Sequence, residues 1–217
     1  MSAWARSGRK DAANRAVALL DEMKGLWKAG NGDVGPSRDA YNAALNALSK
    51  SGTEKSARRD EYLLKRMEEL FRSGNNRYVD LRPDMISYTS VMNDWAGCWS
   101  RATPRRANQI LRHMRDLQDS RNAAEGPDTV AYKTALKAWI LCVEEGGVIR
   151  VEELLYVMEA QCEGGDEIPK TDAYSHKTLL TMHAKNCRME SAQRAQQYID
   201  ALKNKYSYGD LTMNPDI

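Results

Sequence analysis

Pro83 to Ala96, PDMISYTSVMNDWA, and Pro127 to Ile140, PDTVAYKTALKAWI, state one pattern twice, 44 residues apart. In each, a proline is followed five positions later by a tyrosine. Apolar residues then fall at steps of three and four: Tyr88, Val91, Met92 and Trp95 in the first stretch, Tyr132, Ala135, Leu136 and Trp139 in the second. That spacing is the stripe of an amphipathic helix. Tyr41, Ala44, Leu45 and Leu48 repeat it after Pro36. Pro169 with Tyr174 opens a fourth copy, so the tyrosines stand 47, 44 and 42 apart.

A second marker runs in register with the first. Two large apolar residues, two others and a methionine recur as Leu19-Leu20 with Met23, Leu63-Leu64 with Met67, Ile110-Leu111 with Met114, and Leu154-Leu155 with Met158. Tyr198-Ile199 with Leu202 is a fifth copy. Tyrosine to closing methionine is 26 residues three times, but Tyr174 to Leu202 is 28; a constant 26 puts His176 in the tyrosine slot. Two markers in fixed register mean one unit of two helices. The proline is expected in the first turn of the first helix, and Gly30-Asn31 or Gly74-Asn75 as a left-handed cap closing the second. The units read as one array over 1–217: a partial unit 1–35, full units 36–82, 83–126, 127–168 and 169–214, and the start of another at 215–217, as if cut from a longer array. A single helix pair has too little interior to stand alone, so the sequence predicts an all-α chain of antiparallel pairs stacked on their neighbours.

Composition narrows the function. The chain has 32 basic and 30 acidic residues, a net charge of +2, so a nucleic-acid surface must come from placement rather than total charge. Placement is uneven: residues 36–127 carry 16 basic and 12 acidic groups, residues 128–169 three and nine. The densest apolar run, Ala135 to Val143, is short and interrupted by Lys137, so no membrane span is expected. Cys98, Cys142, Cys162 and Cys187 form no CxxC, which argues against zinc ribbons and dithiol chemistry and fits a reducing compartment. His176, His183 and Cys187 lack a fourth ligand, so no metal is expected. There is no Gly-rich phosphate loop and no Ser/His/Asp grouping; neither a catalytic residue nor a cofactor is assigned, and no enzyme is expected.

The order Pro-Asp-x-x-x-Tyr, then Ala, two large apolar residues and Met, resembles the pentatricopeptide repeat family over the whole chain, though units of 42 to 47 are longer than the family's own repeat. The resemblance implies a right-handed α-solenoid. It also implies binding to single-stranded RNA, about one base per repeat, in the processing, stability or translation of a mitochondrial or plastid transcript. Base-reading residues follow the tyrosine and the next unit's proline. They are Asn42 with Asp84, a uracil pair, and Thr89 with Asp128, a guanine pair. Lys133 with Lys170 matches no common pair, and the fourth unit offers Ser175 or Lys177 with Asp216. Base-sandwiching residues two before the tyrosine are Ile86 and Val130, with Asp39 in the first unit and Tyr174 in the shifted fourth. Phosphate contacts fall to Arg6, Lys50 and Lys185.

Plainer readings stand beside these. Asp84 and Asp128 also suit the helix dipole as first-turn acids, and Arg101, Arg105 and Arg106 suit a solvated face. The rival function is a protein-interaction scaffold, with the acidic third unit as the contact for protein partners. Neither a membrane nor a small-molecule substrate is expected.

Overall fold

The computed structural model describes residues 12–31, 34–73, 81–98, 100, 102–121, 126–141, 146–162, 172–186 and 188–207. Among them are nine helices and no strand: α1 Ala12–Lys28, α2 Arg38–Leu48, α3 Glu54–Arg72, α4 Met85–Gly97, α5 Thr103–Arg121, α6 Thr129–Leu141, α7 Gly147–Cys162, α8 Ala173–Asn186 and α9 Met189–Ser207. The fold is all-α. None of the described helices is long and apolar enough to cross a membrane.

The first helix of every unit starts from a side-chain cap. Ser37 Oγ accepts from the Ala40 N–H at 3.2 Å, Asp84 Oδ1 from Ser87 at 2.9 Å, Asp128 Oδ1 from Ala131 at 2.8 Å, and Asp172 Oδ1 from Ser175 at 3.1 Å. First-turn N–H groups have no acceptor within the helix, and a short oxygen three residues back satisfies one of them. Pro36, Pro83 and Pro127 therefore stand one residue outside the cap. The expectation of a proline in the first helical turn is corrected: the proline ends the linker and the next residue caps. Asp84 and Asp128 are the caps themselves, not first-turn acids.

These caps also set the register. The N–H groups of Tyr41, Tyr88, Tyr132 and His176 donate to the carbonyls of Ser37, Asp84, Asp128 and Asp172. His176 thus takes the tyrosine position and is buried, while Tyr174 is exposed. The proline count gives the cap slot of the fourth unit to Lys170; the geometry gives it to Asp172.

Tyrosine and methionine markers turn inward together: Tyr41, Tyr132, Met67 and Met158 have no exposed surface. Met23 in α1 and Leu202 in α9 are only half-buried. Helix α1 ends as Gly30-Asn31 suggests. Gly30 has φ +101°, its N–H donates to the Trp27 carbonyl at 3.1 Å, and that of Asn31 donates to Leu26 at 3.2 Å. This is the double bond pattern of a left-handed C-cap. Gly74-Asn75 lies outside the described residues.

By contacts the chain divides into two compact units, Met1–Ala138 and Trp139–Ile217, where the sequence reading has one array. In the first, α2 packs against α1, α3 and α4, and α4 against α3 and α5; in the second, α8 packs against α7 and α9. Side-chain bonds join alternate helices of the first unit: Arg59 to Asn14, Asn42 to Asp84, Arg106 to Glu61, His113 to Glu68 and Thr134 to Asn93, at sequence separations of 41 to 45. Each separation is about one repeat, so like helices of successive repeats meet.

Candidate nucleic-acid interface

Asn42 lies in α2 and Asp84 caps α4, and the packing of these helices brings the two side chains together. Asn42 Nδ2 donates to Asp84 Oδ1 at 3.1 Å and Oδ2 at 3.2 Å. Ser87 Oγ donates to Asn42 Oδ1 at 2.6 Å and accepts from the Asp84 N–H at 3.2 Å. Arg38 Nε approaches Asp84 Oδ2 at 3.4 Å from the rim. A carboxylate only accepts, so the amide must turn its nitrogen toward Asp84 and its oxygen toward the Ser87 hydroxyl. One amide hydrogen is then engaged by the carboxylate, and the other remains as a donor on a half-buried side chain.

Thr89 and Asp128 take the same slots one repeat on, but they are not hydrogen-bonded to each other. Thr89 Oγ1 donates back to the Met85 carbonyl at 2.7 Å, while Asp128 accepts from the Ala131 N–H. In the fourth unit Ser175 is fully buried with its hydroxyl on Asp172 Oδ1 at 2.9 Å, whereas Lys177 is exposed. Lys177, not Ser175, therefore follows the tyrosine position. Asp216 lies outside the described residues, as do Lys170, Arg6 and Arg101.

Ile86 and Val130 are exposed by 60% and 54%, and Tyr174 by 42%. Large apolar side chains left in water at three first turns are available to a flat apolar ligand. Asp39, at the equivalent place in α2, is exposed too. Lys50 is exposed in the turn after α2. Lys185 is exposed in the last turn of α8, with its ammonium on the Ile140 carbonyl at 3.1 Å. Among the acids of the third unit, Glu152 lies 3.3 Å from His183 Nε2 and Glu153 pairs with Arg150 at 2.7 Å.

Two buried acidic clusters were not expected from the sequence. Glu68 Oε1 accepts from Tyr88 Oη at 2.9 Å and faces His113 Nε2 at 2.8 Å, and its Oε2 pairs with Arg72 at 2.8 Å. Asp60 in α3 and Asp94 in α4 are both fully buried, and neither Asp60 oxygen has a hydrogen-bond partner. Burial, then the neighbouring Asp94 charge, pushes the Asp60 carboxyl up to about 10; burial pushes Asp94 up to about 6, opposed by hydrogen bonds from Ser56 and the Gly52 backbone. Asp60 is the protonated partner at neutral pH. The signal was visible: Asp60 interrupts the apolar stripe of Ala57, Leu64 and Met67 at helical spacing.

No protein-family model matches the chain, and no curated protein matches it.

Proposed function

We propose that this chain binds single-stranded RNA in the pentatricopeptide manner, its helix pairs stacked as a right-handed α-solenoid with the first helices of successive units side by side. One observation carries the proposal. Asn42 and Asp84, 42 residues apart and assigned to one base by resemblance alone, are in direct hydrogen-bond contact. A conformation in which such residues faced apart would not suit base reading.

The chemistry of that pair suits a carbonyl-bearing pyrimidine. Asn42 keeps one amide N–H for an acceptor such as the uracil O4, whereas the cytosine amino group at the same place would set donor against donor. By resemblance Ile86 and Val130 flank the base read at Thr89, and both side chains are exposed, as stacking on a base requires. Binding would regulate the processing, stability or translation of an organellar transcript by occupying it, without chemistry of its own.

The test is Thr89→Asn with Asp128 kept. Preference should move from guanine toward uracil at one position of a single-stranded RNA while other positions hold. A uniform loss for every sequence would leave binding intact and refute base reading.

A further inference from the structure

We infer that Ser87 is a positioning residue for the Asn42–Asp84 pair, making that site selective for a keto over an amino pyrimidine; the inference rests on the RNA-binding proposal. Ser87 is fully buried, so its hydroxyl touches no ligand. That hydroxyl sits between both readers: its one proton has the Asn42 amide oxygen at 2.6 Å and Asp84 Oδ1 at 3.0 Å and goes to the nearer, while its oxygen accepts from the Asp84 backbone N–H at 3.2 Å and the Ser87 N–H donates to Asp84 Oδ1 at 2.9 Å. One side chain thus holds the amide oxygen of Asn42 and the peptide of Asp84 in a single network.

The consequence is directional. With its oxygen turned to the buried Ser87 hydroxyl and one hydrogen engaged by Asp84, the Asn42 amide presents its remaining N–H to a base. Rotation of the amide would place its oxygen against the Asp84 carboxylate and would force the Ser87 hydroxyl to give up its shorter bond and turn its proton to Asp84 Oδ1. Without the hydroxyl, Asp84 alone orients the amide, and the Asp84 N–H loses its acceptor, so the cap loosens as well.

The same molecule contains the comparison. The residue three after the cap is Ser87 at Asp84, Ser175 at Asp172, but Ala131 at Asp128 and Ala40 at Ser37. Ser175 gives its hydroxyl to its own cap, Asp172 Oδ1, at 2.9 Å. Ala131 has no hydroxyl to offer, and there Thr89 donates to its own backbone. Of the four slots, the one held by Ser87 reaches a reader in the preceding repeat.

Ser87→Ala installs the residue already present at two equivalent slots, so the variant should fold. The first measurement uses the full chain without RNA and follows the Asn42 side-chain amide by nuclear magnetic resonance. In the parent chain its two protons should be distinct and slow to exchange; in Ser87→Ala they should exchange at least about tenfold faster, one hydrogen bond being lost, with backbone signals of α2 kept. Unchanged Asn42 exchange overturns the inference.

The second measurement compares single-stranded RNAs identical but for uracil or cytosine beside a guanine. The uracil preference should fall roughly tenfold in Ser87→Ala and return in Ser87→Thr, which restores the hydroxyl. A preference kept in Ser87→Ala overturns the Ser87 inference alone. Absence of RNA binding by the parent chain overturns the RNA proposal and the specificity claim with it, whatever the amide shows. Ala131→Ser combined with Thr89→Asn should strengthen uracil preference over Thr89→Asn alone; no difference between them counts against the inference.

Discussion

Asp60→Asn should stabilise the protein, and more so as pH rises. Asp60 is fully buried, and neither of its oxygens has a hydrogen-bond partner. Its native carboxyl is raised from 3.8 to about 10, so the folded chain binds a proton that the unfolded chain releases above pH 4. Holding that proton costs about 1.4 kcal/mol per pH unit above the unfolded value, which reaches about 4 kcal/mol at pH 7. Local relaxation and water penetration reduce this, and a gain of about 2 kcal/mol for Asp60→Asn at pH 7 is expected. Asparagine keeps the shape and donates an N–H to Asp94 with no proton to retain. The sign follows from the raised native values: stability present near pH 4 is lost as pH rises, the share of Asp94 ending near 6 and that of Asp60 continuing toward 10. Urea unfolding followed by circular dichroism at pH 5 and pH 8, with hydrogen exchange of α3 and α4 amides, measures it. Equal shifts at both pH values, or a destabilised variant at pH 8, would refute the assignment of a protonated Asp60.

Other outcomes follow from single side chains. Gly30→Ala should cost about 1 kcal/mol in urea unfolding: nothing lies within 4 Å of a Cβ there, so the φ of +101° alone bears the penalty. Ile86→Ala should leave stability within about 0.5 kcal/mol, because the side chain is 60% exposed. Its affinity for single-stranded RNA should nonetheless fall about fivefold, the loss of a half-covered aliphatic contact. Unchanged affinity would show that Ile86 does not face the bases.

Much of the architecture was legible because two markers recur in fixed register. Tyr41, Tyr88 and Tyr132 fall on the stripe that the core requires, and Gly30 gives the end of α1 through its conformational freedom. The caps were harder to read. A proline before an acid is compatible with either residue opening the helix, and only the bonds from Ala40, Ser87, Ala131 and Ser175 decide for the second. The fourth unit left two registers open: Pro169 precedes Tyr174 at the usual spacing, whereas the constant 26 points to His176, and the cap at Asp172 with His176 buried decides for the second. Pairwise chemistry was least legible. The assignment of Asn42 and Asp84 to one base was implied by resemblance, but their contact was not, and the bracing by Ser87 depends on a third residue whose role in α4 looks like ordinary capping in sequence. The Asp60–Asp94 pair depends on two helices whose relative rotation no local pattern states.

The central claim is that polar groups of adjacent repeats act jointly on successive bases of one unpaired strand. Anisotropy titration of a labelled single-stranded RNA containing neighbouring uracil and guanine, across a series of salt concentrations, tests it most directly. The account predicts saturable binding at low salt, a linear fall of log affinity with log salt as phosphate counterions are released, and weaker binding of the same sequence in duplex form. Affinity at background in low salt, or equal affinity for the duplex, would contradict it.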